Sequence, residues 1–155
     1  MRSKAYGSVA VNRVDGQRFC QTRAGQDVVV GLDLSKYQLM AVVRWGDGTF
    51  ERPWRVSNPA EIPELVALLT RLSRGRRLVV AMEPSGIYGD ALRQALADAG
   101  VAVQRISPKA AHDYAEVFDG VPSQHDGKDA AVVGELAAIG KGVPWSYRRQ
   151  PGSKS

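Results

Sequence analysis

Residues 28 to 43 read VVVGLDLSKYQLMAVV. Two runs of β-branched and other apolar residues flank a short polar break, which predicts two strands joined by a tight turn. One aspartate, Asp33, stands where the first strand should end. An ionised carboxylate is expensive to bury unless something compensates it. The fold and the use of Asp33 therefore have to be solved together.

Downstream, GDG at 46–48 is a hairpin signal, and TFERPWRV is a third strand in which Pro53 marks an edge or a bulge. Ile62, Leu65, Val66, Leu69 and Leu72 then recur at helical spacing, with Asn58 as the cap and Gly75 as the stop. RLVVAME is a fourth strand whose continuous apolar run suits a central parallel position. GIYGDALRQALADAG is a second helix, VAVQRIS a fifth strand, and PKAAHDYAEVF a helix opened by Pro108. After the polar loop DGVPSQH comes a last helix, DGKDAAVVGELAAIG. Residues 1–26 read as a flexible basic arm and 146–155 as a disordered tail, leaving 27–145 as the folded unit. Three strands joined by turns, then helix, strand, helix, strand and two helices, predict an α/β domain. Its mixed five-stranded sheet, flanked by helices, has the ribonuclease-H-like topology.

Composition narrows the classes. A chain of 155 residues supports one domain with a real core. A net charge of +5 leaves nucleic acid open as a partner without requiring it. The single cysteine, Cys20, excludes an internal disulfide framework and a cysteine zinc cluster, and it fits a reducing cytosol. No apolar run approaches the roughly 18 residues of a membrane span, so the expectation is a cytoplasmic domain with no membrane partner.

The acids carry the functional argument. Asp33 closes the first strand and Glu83 closes the fourth, and these two strands are neighbours in the expected topology. Asp126 and Asp129 open the last helix three residues apart, which puts both on one face. If that helix crosses the strand ends, four carboxylates converge. Like charges about 4 Å apart repel by roughly 4 kcal/mol at an effective dielectric near 20. Such a cluster must keep protons or bind cations. Oxygen-only ligands favour hard ions, so Mg²⁺ or Mn²⁺ fits better than zinc. Each acid also has a plainer use: Asp33 as a turn residue, Glu83 as a helix cap, and Asp126 with Asp129 as a capping pair.

The segments GLDLSK, AMEPSG and VPSQHDGKDAAVV resemble the DEDD transposases of the insertion-sequence one-hundred-ten family, which includes the Piv-type DNA invertases. The N-terminal domain of that family is similar to the RuvC Holliday-junction resolvase. The resemblance covers about residues 27–145 and implies a RuvC-like domain that acts on DNA phosphodiesters. In it, Asp33, Glu83, Asp126 and Asp129 are the catalytic, metal-binding acids, loaded with Mg²⁺ or Mn²⁺. Ser35, Ser85, Gly86 and Tyr88 would line the site and Lys36 would contact a phosphate, while His125 is a site-lining candidate only because it adjoins Asp126. DNA, a structured guide RNA and further copies of the chain are the partners it implies. Two features depart from the pattern. A Lys-x-Asp approach to the third acid is replaced by Gln124-His125-Asp126, and nothing after residue 145 resembles the family's serine-bearing second domain. The expectation is an N-terminal domain that cannot complete recombination alone.

Arg71, Arg74, Arg76 and Arg77 form either a solvated helix end or, with Lys36 and Lys128, a set of phosphate contacts. His112 and His125 read as surface residues, His125 being the better site candidate because it adjoins Asp126. Trp45, Trp54 and Trp145 are expected to pack, with base stacking as a lesser use of Trp145. Two other functions compete. One is a non-catalytic nucleic-acid-binding or dimerisation module. The other is an actin- or sugar-kinase-type nucleotide-binding domain, which GLDLSK suggests but which lacks its second phosphate motif.

Overall fold

The computed structural model describes residues 7–84, 86–122 and 125–146. Strands β2 (Val28–Leu34) and β3 (Gln38–Trp45) are the predicted antiparallel pair, in register from Val28 opposite Trp45 to Leu34 opposite Leu39. Their turn is closed by Ser35, whose backbone N–H and Oγ both donate to the Gln38 carbonyl, at 2.8 and 2.6 Å. β4 (Trp54–Ser57) pairs antiparallel with β3. It is shorter than the predicted third strand, because Pro53 has no N–H to donate and residues ahead of it reach β3 only through a bridge between Phe50 and Arg44.

β5 (Leu78–Met82) lies parallel to β2, and β6 (Ala102–Arg105) lies parallel to β5. The five predicted strands are extended at each edge by a two-residue strand, β1 (Val9–Ala10) and β7 (Val143–Pro144), giving seven in the order β1-β4-β3-β2-β5-β6-β7. The edge pairs are too short to leave a periodic trace in the sequence.

Alternation along the strands divides the interior into two layers. Val28, Val30 and Leu32 of β2 and Leu78, Val80 and Met82 of β5 face helices α2 (Ile62–Leu72) and α3 (Asp90–Asp98). On α2, Ile62, Leu65, Leu68, Leu69 and Leu72 form the buried stripe, each worth about 1.5–3 kcal/mol when fully removed from water. Glu61 stands at the N-cap of this helix, so Asn58, the predicted cap, serves another purpose. The opposite layer holds Val42 and Ala81 against α4 (Pro108–Ala115) and α5 (Lys128–Ala138).

Helix α5 sits unusually close to β2. A Cβ on Gly31 would fall 2.0 Å from the Ala130 carbonyl oxygen, so only glycine lets the helix backbone rest on the strand. Gly134 faces Gly31 from the helix side.

Residues 9–21, expected to be part of a flexible arm, instead form β1, a 3₁₀ turn (Val11–Arg13) and α1 (Gly16–Gln21). Phe19 of α1 stacks on Trp45 with centroids 5.7 Å apart and meets Trp54 edge-on at 5.1 Å. Arg76 fixes the chain beyond α1 by donating to the carbonyls of Cys20, Thr22, Arg23 and Gln26, while its guanidinium lies 5.2 Å from the Trp45 ring centre. Trp145 packs against the larger core layer under Arg93, whose guanidinium is 3.7 Å from its ring centre.

Candidate active site

The register places the first two acids together. Leu32 pairs with Met82 at the last step of the ladder between parallel strands β2 and β5, so the next residues lie side by side: Asp33, still paired with Met40 of β3, and Glu83, which has just left β5. By alternation both lie on the layer of Gly31 and Ala81, the side covered by α5. The Gly31–Gly134 approach sets α5 across these strands and brings Asp129, in its first turn, to the same edge. Helix α4 forms the opposite wall. Its residues Pro108, Ala111, His112 and Ala115 follow helical spacing and face a cleft of about 260 Å³ shared with Asp33, Glu83, Asp129 and Val132. Open α/β sheets bind ligands at the carboxyl ends of their strands.

The electrostatics of the cleft are one-sided. Burial pushes the Asp33 carboxyl above its ordinary range, and the charge of Asp129 raises it further. Burial also raises Glu83, with Asp33 and then Asp129 adding repulsion. Among the described residues, none of the three carboxylates has a side-chain hydrogen bond or an ion pair. The positive end of the α5 dipole favours Asp129 but supplies no full charge. An acidic, oxygen-only donor set of this kind suits a hard divalent cation. Among the described residues, however, no three acids or histidines stand near enough together to grip one ion as they are placed.

The fourth acid is elsewhere. Asp126 is exposed and precedes the helix, and its Oδ2 accepts a hydrogen bond of 2.9 Å from the Ser8 backbone N–H. It does not line the cleft with the other three. Nor is it the N-cap: Gly127 holds that position, where a Cβ would press within 2.4 Å of Val42 and 2.8 Å of Pro53.

The neighbouring His125 is buried, and its Nδ1 accepts the Gly127 N–H at 3.1 Å. Burial lowers its pKa. It holds the entry to α5 and does not line the cleft. The imidazole that does line it is that of His112, the histidine ranked second from the sequence. The signal was present in the i, i+3, i+4, i+7 pattern of 108, 111, 112 and 115, but adjacency to Asp126 outweighed it.

The remaining candidates scatter. Ser35 closes the β2–β3 turn, and Lys36 is exposed beside it with its Nζ 5.1 Å from the Tyr37 ring centre. Tyr88 is exposed in the 3₁₀ turn Gly86–Gly89, which also contains Gly86. Ser85 lies outside the described residues. Lys128 is the first residue of α5, next to Asp129.

The arginine group sits at the other end of β5. Arg77 precedes that strand, whose five residues span roughly 17 Å before Glu83. Arg76 is spent on the carbonyls of residues 20–26, Arg71 lies against Gly16 of α1, and Arg74 is exposed past the end of α2. These four arginines therefore do not flank the acids. Sequence reasoning also missed Asn58, whose side chain bridges two turns beside the cleft.

Comparison with known proteins follows the same outline. RuvC of Thermus thermophilus is similar in fold. Its structure in complex with a Holliday junction substrate superposes with a TM-score of 0.51 at 18% identity, covering 77% of this chain and 99% of that one. A second Thermus thermophilus RuvC structure gives a TM-score of 0.52 at 17% identity, covering 76% and 99%. No curated protein matches the sequence. The family model described as Transposase, that of the DEDD enzymes of the insertion-sequence one-hundred-ten group, matches residues 30–148. With its acids on a RuvC-like sheet edge and that match spanning most of its length, the chain belongs to the DEDD transposase family.

Proposed function

We propose that this domain binds Mg²⁺ or Mn²⁺ through Asp33, Glu83 and Asp129, with Asp126 completing the set, and acts on DNA phosphodiesters during transposition. The observation that carries the reading is the convergence of three carboxylates from separate segments on one cleft, two of them raised by burial and mutual repulsion, with no ion pair to any of the three among the described residues. Divalent ions bound there would supply activation of the attacking oxygen and stabilisation of the leaving one.

The chain's own residues do the rest. Asp33, near the end of β2, and Glu83, directly after β5, are brought side by side by the register of these neighbouring strands, where both can offer oxygens. Asp129 comes from a helix whose position is fixed by backbone contact with β2. His112 presents an imidazole at the cleft wall. Lys36, exposed three residues after Asp33, would meet a phosphate. Asp126 must turn away from Ser8 for all four acids to act together. A serine-bearing partner domain, a structured RNA and a second copy of the chain enter this reading through the family alone.

A second reading, a non-catalytic nucleic-acid-binding module, draws on one observation: Asp126 is engaged by Ser8, and the acids do not close on one point. Binding and scission of a branched DNA duplex, with Mn²⁺ or with chelator, separate the two. Metal-dependent binding by wild type that is lost in Glu83→Gln supports the metal site. Equal binding by both proteins in both conditions favours the inert module.

A further inference from the structure

Asn58 follows β4 and lies outside every helix and strand, yet it makes three hydrogen bonds to two different turns. Its backbone N–H donates to the Tyr37 carbonyl at 2.9 Å, and its Nδ2 donates to the Ser35 carbonyl at 3.0 Å and to the Tyr88 carbonyl at 3.2 Å. Ser35 and Tyr37 belong to the turn that follows Asp33. Tyr88 belongs to the 3₁₀ turn that follows Glu83. A carboxamide nitrogen has two protons to give, and here each goes to a different turn.

Beyond Leu32 and Met82 the ladder between β2 and β5 ends: Asp33 stays paired with Met40 of β3, but Glu83 has left the sheet, so strand pairing no longer sets the separation of the two acids. The spacing of these carboxylates then depends on what joins the segments beyond them, and the Asn58 amide is such a joint. We propose that Asn58 is a positioning residue that bridges the turn after Asp33 to the turn after Glu83 and so sets the spacing of the two acids for cation binding. The bridging rests on the hydrogen bonds alone; its consequence for cations rests on the metal-site reading above. Supporting groups outside the ligand shell commonly change metal affinity by about 10–100-fold when removed.

The test compares wild type, Asn58→Ala and Asp33→Asn by two measurements. Hydrogen exchange of the metal-free proteins, followed over 33–38 and 86–90, reads the bridge itself. Calorimetric Mn²⁺ titration reads its consequence. Asn58→Ala is expected to speed exchange in both turns together and to weaken Mn²⁺ binding about tenfold, with the helical circular dichroism retained. If Asn58→Ala does not fold, Asn58→Ser, which keeps a single donor, takes its place with the same readouts. Faster exchange in only one turn, or in neither, overturns the bridge. Faster exchange in both with unchanged Mn²⁺ affinity overturns the positioning role. Should Asp33→Asn bind Mn²⁺ as wild type does, the metal site itself fails, and the exchange data alone decide the bridge.

Discussion

The two ends of the central strands β2 and β5 treat charge in opposite ways. At the amino end, Arg76 donates to four backbone carbonyls and covers Trp45, and Arg44 pairs with Glu135 at 2.7 Å with both side chains largely shielded. Asp47, fully exposed in the hairpin, has its pKa lowered by hydrogen bonds from Thr49 and then by Arg23. At the carboxyl end, Asp33, Glu83 and Asp129 face one cleft with no such partner among the described residues, and burial and repulsion raise the first two. Charge compensated from within holds a fold together. Charge left uncompensated in a cleft destabilises the fold and is suited to a cation from outside. Arg76 and Arg44 are thus spent within the fold, whereas the three acids are left facing the cleft.

The contrast can be broken most severely at Gly31, because α5 spans both ends, with Asp129 at one and Glu135 at the other. Gly31→Ala would drive a methyl into the Ala130 carbonyl and should destabilise the protein by about 3 kcal/mol or more, read by urea denaturation. Wild-type stability in that variant would show that the helix can lift without loss. Next in size is Arg76→Ala, expected to cost about 2 kcal/mol through lost carbonyl bonds and the Trp45 contact. Its Mn²⁺ affinity should be unchanged. A large loss of Mn²⁺ binding with little loss of stability would place Arg76 in the functional half instead.

A smaller effect concerns pH. Asp33 and Glu83 hold protons more tightly when folded than when unfolded. As pH rises from the ordinary carboxylate range, the unfolded chain releases these protons first, so the metal-free protein loses stability until the folded groups have also ionised. Denaturation across acid to neutral pH should show that decline for wild type and a shallower one for the double variant Asp33→Asn, Glu83→Gln; identical slopes would remove the repulsion from the account. The smallest expected change is at Ser8. Ser8→Pro deletes the N–H that engages Asp126 and also the hydroxyl that accepts from Arg55 at 2.7 Å; it should lower stability by about 1 kcal/mol while tightening Mn²⁺ binding as Asp126 turns toward the cleft. Weaker binding would mean that Ser8 holds Asp126 in its working position.

What the sequence disclosed follows from where its signals are local. β2 and β5 are largely apolar runs with an acid at or just past the end, Asp33 one residue before the end of β2 and Glu83 directly after β5, so both acids could be placed at one edge from the sequence. Helices α2 to α5 carried their own stops and periodicity. The N-terminal elements did not, because Val11 and Phe19 are isolated apolar residues whose burial depends on Trp45 and Trp54 of distant strands. The position of Asp126 was illegible for a related reason. Where α5 begins is decided by Gly127 fitting beneath Val42 and Pro53, which moves the helix start past the acid. His112 lines the cleft and His125 is buried, because closeness in sequence to Asp126 says little about which imidazole faces the cleft. Asn58 looked like a cap since its cross-chain partners, Ser35 and Tyr88, are invisible without the tertiary fold.

Thermal unfolding of wild type and Asp33→Asn at neutral pH, without metal and across a Mn²⁺ titration, tests the uncompensated charge directly. Wild type should start lower and gain stability with Mn²⁺, by about 2.7 kcal/mol when the ion exceeds its dissociation constant a hundredfold. Asp33→Asn should start higher and respond little. If the variant starts lower than wild type and gains as much from Mn²⁺, Asp33 is an ordinary structural acid and the cleft is no metal centre.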